Sequence, residues 1–232
     1  MRRLLPALAL IFTAIAGGVR AEEGRVLVVV ELFTSQGCSS CIEAEEMLHD
    51  LAGHDDILPL AMHVDYWDYL GWRDVFASPS FTARQHGYAA AAQASTVYTP
   101  QVVVNGSDRV MGTRPMKVAE SIAAHRSAGL PVAVMLVRNG EGMTVRAEAP
   151  GAGSYLVQLV RFLPEAVTEI ERGENAGRTI HHANVVTSLR MLARWDGVAP
   201  MDLDVPVEGE EPVAVLVQRA GHGAIIGAAV LR

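Results

Sequence analysis

Cysteine is almost missing from this chain: its 232 residues include two, Cys38 and Cys41. A framework of several disulfides is therefore excluded, and a pair three positions apart closes a loop too small to staple distant parts of a fold. Aromatic residues are sparse, at 6%. Basic charge is in deficit, with 19 Lys and Arg against 26 Asp and Glu. Without a basic run there is no electrostatic footprint for nucleic acid. The GxSxG elbow, the phosphate-binding loop and the HExxH helix are all missing, which removes the usual sequence support for a serine hydrolase, a nucleotide hydrolase or a zinc peptidase. There are no internal repeats. The Ala-rich stretch Ala89 to Ala94 reads as an ordinary helix face.

What is present starts with Arg2 and Arg3, followed by an apolar run from Leu4 to Ala16, then Gly17, Gly18 and Val19-Arg20-Ala21. This is the pattern of a secretory signal peptide covering residues 1–21. The apolar run is too short for a membrane span, so no integral span is expected after cleavage. Cleavage removes three arginines and no acid, making the mature chain still more acidic. The expected location is periplasmic or secreted, where disulfides persist.

The remaining length and a composition that is 50% hydrophobic suffice for one large or two small domains with real cores. The pattern divides near Gly129 to Pro131. In residues 22–130, Arg25 to Phe33 and Ile57 to Val64 read as buried strands. Ser39 to Ala52, Pro79 to Gln93 and Pro115 to Ser127 read as helices. Gln101 to Asn105 and Arg109 to Gly112 read as a hairpin through Asn105-Gly106. The order is β-α-β-α-β-β-α. In residues 131–232, runs at Val132 to Val137, Met143 to Ala149, Tyr155 to Leu163, Ile180 to Thr187, Val213 to Arg219 and Ala224 to Leu231 alternate with Gly, Pro, Asn and Asp turns. That spacing predicts a small all-β, sandwich-like domain.

Val28 to Cys41, VVVELFTSQGCSSC, leads an apolar strand through a polar turn into a CxxC pair at a helix start. Unpaired backbone N–H groups and the positive end of the helix dipole favour thiolate over thiol at Cys38. Cys38 is thus the candidate nucleophile and Cys41 the resolving cysteine of a thiol–disulfide exchange. Ser39 and Ser40 bring no positive charge between them, and Glu43, Glu45 and Glu46 follow in the first turns of the helix. A moderately lowered thiol pKa is therefore expected, and reductase, oxidase and isomerase directions all stay open.

With Pro100 placed just before the third strand, the first domain resembles a thioredoxin-like fold. Phe33 to Cys41, His63-Val64-Asp65-Tyr66-Trp67-Asp68, Val97-Tyr98-Thr99-Pro100-Gln101 and Gly173 to Arg178 are similar to segments of a family of secreted bacterial thioredoxin-like proteins of unknown function, domain of unknown function 1223. The resemblance implies that Pro100 is cis and that its loop lies against the cysteine pair. It further implies that Thr99 offers backbone groups to an extended peptide carrying a disulfide. Ile42 stands where many family members carry Pro.

The aromatic segment His63 to Trp72, HVDYWDYLGW, reads first as a rigid loop covering a sheet end. Tyr66 and Trp67 are kept as candidate walls of a substrate groove, and His63, Asp65 and Asp68 as candidates for proton transfer. Soft thiolates select Cu(I), so copper handling is one alternative. A closed zinc site needs two further ligands. His49 and His54 follow Cys41 too closely, while adjacent His181 and His182 point to opposite faces if extended. His86, His125 and His222 read as solvated or core-edge residues. No metal and no cofactor is expected beyond the redox pair itself. The expected partners are envelope protein thiols and disulfides. A further alternative is a non-catalytic envelope binding module with a structural Cys38–Cys41 bond.

Overall fold

The computed structural model describes residues 27–140 and 142–232, so the expected signal segment lies outside the described residues. β1 (Val28–Thr34) and β2 (Ile57–His63) are buried at every position and pair in parallel, from Val28 opposite Ile57 to Thr34 opposite His63. Burial on both faces explains why neither strand alternates apolar with polar residues. Val28, Val30 and Leu32 pack with Ala44 and Leu48 of α1 (Ile42–Ala52) and with Val118 and Ile122 of α3 (Pro115–Ala128). Val29 and Phe33 face the opposite way, into a core shared with Phe81 and Tyr88 of α2 (Pro79–Ala91).

Local sequence accounts for several of these boundaries. Ser78 accepts a hydrogen bond from the Ser80 N–H, and Pro79 occupies the first helical position, where a missing N–H costs nothing. β3 (Gln101–Val104) and β4 (Asp108–Met111) form an antiparallel hairpin. Asn105 and Gly106 at its tip have φ of 44° and 67°, a region these two residue types enter at least cost.

The remaining strands are β5 (Ala133–Asn139), β6 (Gly142–Glu148), β7 (Tyr155–Glu169), β8 (Thr179–Trp195), β9 (Met201–Pro206), β10 (Val213–Arg219) and β11 (Ile225–Leu231). They pack face to face in two layers, one of which is joined to the sheet of the first half. β7, β8, β10 and β11 continue the first sheet, in the order β11-β10-β7-β8-β2-β1-β3-β4, and only β5, β6 and β9 form a second, three-stranded sheet. The expected division at residue 130 marks a change in connectivity, while the sheet runs across it. The junction is narrow: β8 meets β2 in parallel at Val185 and Ala61, and Asn184 Nδ2 donates to the Pro59 carbonyl at 2.9 Å. The small sheet covers one face of the large one, with Met143, Val145 and Val205 packed among Val157, Leu159, Val215 and Val217.

A buried polar network also spans the two halves. Arg84 Nε donates to Glu31 Oε1 at 2.6 Å, Nη2 to the Tyr88 hydroxyl at 2.8 Å and Nη1 to Gln218 Oε1 at 3.1 Å. The Tyr88 hydroxyl donates to the second oxygen of Glu31. Among the described residues, no helix is long and apolar enough to cross a membrane.

Candidate functional site

β1 delivers the chain to the loop Ser35-Gln36-Gly37 at the sheet end. The Cys38 N–H donates to the Ser35 carbonyl at 3.0 Å, and the Cys41 N–H to the Cys38 carbonyl at 3.1 Å. A single 3-10 turn, Ser39–Cys41, then feeds α1. Cys38 and Cys41 are joined as a disulfide with Cα atoms 5.4 Å apart. Each is 1% exposed, whereas Ser39 and Ser40 between them face solvent.

The Thr99–Pro100 peptide is cis, and its loop lies against this turn. Trp67 Nε1 donates to Thr99 Oγ1 at 2.8 Å. An indole nitrogen only donates, so the Thr99 hydroxyl proton is free to point at Cys38 Sγ, 3.2 Å away. Behind the loop, Gln85 Nε2 donates to the Tyr98 carbonyl at 2.8 Å and to Gln101 Oε1 at 3.0 Å, while Tyr66 OH donates to Gln85 Oε1 at 3.1 Å. Burial pushes the Tyr66 phenol up. Gly112 permits the close approach of β4: a Cβ there would lie 2.8 Å from the Pro100 Cβ and 3.1 Å from that of Ala44. Cys38, Cys41, Thr99, Pro100 and Trp67 thus meet at one place. Tyr66 lies beside them, its hydroxyl interacting with both Gln85 and Thr99.

The other acids of the aromatic segment are engaged locally. Asp65 Oδ1 accepts from the Thr82 hydroxyl at 2.6 Å, and Asp68 Oδ1 accepts from the Asp74 N–H at 3.1 Å. Burial raises the Asp68 carboxyl. Neither is placed for proton transfer at the sulfurs.

The turn between β7 and β8 reaches the cysteine loop, which its sequence does not announce. Ser39 Oγ donates to Glu174 Oε2 at 2.9 Å, and Asn175 Nδ2 to the Gln36 carbonyl at 2.8 Å. The Gln36 side chain donates to Thr168 Oγ1 at 3.1 Å and accepts from Trp72 Nε1 at 2.8 Å. Two halves of the chain therefore latch beside the disulfide.

Beneath it lies a wholly buried cluster, to which α1 contributes Glu45, one turn beyond Cys41, β2 His63 and β8 His182. Glu45 accepts from the Thr34 hydroxyl at 2.7 Å, and its other oxygen is 3.3 Å from His182 Nδ1. His63 Nδ1 is 2.7 Å from Asp74 Oδ2, which also accepts from the Gln36 N–H at 2.8 Å. Burial opposes charge on all three groups that shift, yet their mutual attraction prevails. His63 is raised by the Asp74 and Glu45 charges. Asp74 is lowered by His63 and by the Gln36 and Phe76 N–H groups. Glu45 is lowered by His182, His63 and the Thr34 hydroxyl. Glu45 reads in sequence as one more acid of a solvated first turn, but it is 3% exposed. The one available signal was its position four residues after Cys41, on the helix face that turns inward.

A family model described as "Protein of unknown function (DUF1223)" matches residues 29–218. The chain belongs to the DUF1223 family. It is also similar to a protein from Agrobacterium tumefaciens whose crystal structure comes from structural genomics. That protein is 34% identical, the match covers 88% of this chain and 93% of the other, and the TM-score is 0.77. No curated protein matches. The DUF1223 match spans the cysteine loop, the Thr99–Pro100 loop and the β7–β8 turn together, so the latch belongs to the family's matched region.

Proposed function

We propose that this protein is a thioredoxin-like thiol–disulfide oxidoreductase of the cell envelope, exchanging electrons with protein substrates through Cys38 and Cys41. The observation that carries this reading is the Trp67–Thr99–Cys38 relay. A hydroxyl from a separate loop is held in place by an indole donor and aimed at one sulfur of a pair at a helix start. A structural disulfide has no need of such a donor, whereas a leaving or attacking thiolate is stabilised by it.

From the oxidised state, a substrate thiolate attacks Cys38 Sγ, the Cys38–Cys41 bond breaks and Cys41 leaves as a thiolate. A second substrate thiolate then attacks the substrate sulfur of the mixed disulfide, so Cys38 leaves as a thiolate. The substrate has lost two electrons to form a disulfide, and the pair has gained them. In reverse, the Cys38 thiolate attacks a substrate disulfide and Cys41 resolves the intermediate. In both directions Cys38 is the sulfur that bonds the substrate. The Glu174–Asn175 latch restricts that step to partners able to approach from the exposed Ser39–Ser40 side. In a Cys41→Ser variant Cys38 keeps its substrate, so non-reducing gels of oxidising cells should show mixed disulfides; their complete absence counts against exchange.

The 1% exposure of each cysteine favours a second reading, an envelope binding module with a permanent disulfide. The two readings separate on reducibility in defined thiol buffers.

A further inference from the structure

We propose that Glu45, His63 and His182 form a binding site for a divalent transition-metal ion of the Zn2+ type, with Asp74 orienting His63. Two neutral imidazoles and one carboxylate make a three-ligand set that leaves a coordination position open. One donor atom from each residue lies within 4.8 Å of the other two, and all three residues are buried. Ligands of a tetrahedral ion with bonds near 2.0–2.2 Å sit roughly 3.4 Å apart, so closing on the metal takes a contraction of up to about 1.4 Å.

The second observation is an unsatisfied nitrogen aimed into the same place: Nε2 of His63 is wholly buried and has no hydrogen-bond partner. His182 faces Glu45 through Nδ1, at 3.3 Å. Buried ring nitrogens are rarely left so, because the lost hydrogen bond costs stability with no return. His63 has its Nδ1 committed to Asp74, which leaves Nε2, 3.9 Å from Glu45 Oε1, as its ligand atom. A carboxylate on the far nitrogen of a ligating histidine is the usual arrangement around such metals, where it fixes the ring and strengthens the ligand. Here the carboxylate is itself anchored by the N–H groups of Gln36 and Phe76.

A surface cleft of about 380 Å³ borders the cluster, lined by Glu45 together with Ile42, His49, Asp50, Ile180 and His181. Glu45 is thus both a wall of the cleft and a member of the buried cluster. The expectation that adjacent His181 and His182 face opposite sides agrees with the strand, where His181 is exposed and His182 buried. The inward one meets His63 and Glu45. None of the three ligands is a cysteine, so the site is independent of the redox state of the disulfide.

The test uses the oxidised mature chain, stripped with a chelator and titrated with Zn2+ by calorimetry and with Co2+ by visible absorption. One equivalent is expected. Glu45→Gln and His182→Gln should each weaken binding by at least 100-fold, and Asp74→Asn by 10–100-fold. A variant of the cleft rim, His49→Ala with His181→Ala, should bind as the parent does. Because substitutions in the buried cluster risk unfolding, X-ray absorption of the Zn2+-loaded parent gives a second readout: nitrogen and oxygen ligands including two imidazoles, and no sulfur. Absence of stoichiometric binding, binding lost in the rim variant but kept in Glu45→Gln and His182→Gln, or a sulfur in the coordination shell would each overturn the proposal.

Discussion

Replacing Thr99 by Val keeps the side-chain shape and removes the only hydroxyl that loop 98–100 points at Cys38. In the reduced protein that hydroxyl faces a developing thiolate, and hydrogen bonds to charged groups contribute about 1.5–3 kcal/mol. Thr99 is half-buried, so the lower end applies. About 1.5 kcal/mol corresponds to roughly one pKa unit, so the Cys38 thiol should rise by that amount. The reduced form alone loses this stabilisation, so the couple becomes more reducing by about 30 mV. Trp67→Phe leaves the hydroxyl in place but removes the indole that fixes it, and a shift of the same sign and roughly half the size is expected. The assays are thiolate absorbance against pH on the reduced protein and equilibration in glutathione buffers. A Thr99→Val protein with unchanged thiol pKa and unchanged potential refutes the role assigned to the relay.

Other perturbations test the framework that holds the site. Arg84→Met strands Glu31, which is fully buried, and should cost about 3–5 kcal/mol in urea unfolding; Glu31→Leu with Arg84→Met should recover most of that loss. His222 sits against the Tyr88 ring at 5.7 Å, and burial followed by the Arg84 charge holds its pKa below 6.5, with Glu31 opposing. The unfolded chain therefore binds the proton more readily. The stability contribution is complete above about pH 6.5 and is lost as pH falls through the lowered folded value. His222→Asn, which tolerates the positive φ at this position, should flatten the denaturation profile across that window. Gly112→Ala forces a Cβ into Pro100; the loop must retreat, and the potential should move in the same direction as in Thr99→Val.

The first half of the chain was readable because its signals are local. The polar turn after β1, the Asn105-Gly106 hairpin, Pro79 behind Ser78, and Gly129 after α3 each depend on a few consecutive residues. The second half follows from pairing between distant segments, which alternation does not specify. Alternating runs after residue 131 fit a separate sandwich equally well, and a single β2–β8 bridge leaves no periodic mark in sequence. β9 escaped notice because its exposed Asp202 and Asp204 make Met201–Pro206 look like a loop. The cysteine pair and Thr99–Pro100 were visible as motifs. The β7–β8 latch and the Glu45–His63–His182 cluster were not, since their members come together only through the extended sheet.

The most direct test of the exchange reading is the reduction potential of the Cys38–Cys41 couple, measured by equilibration in defined glutathione or dithiothreitol buffers. Exchange chemistry predicts a value between about −120 and −270 mV, whereas a value below about −300 mV contradicts it and identifies a structural disulfide.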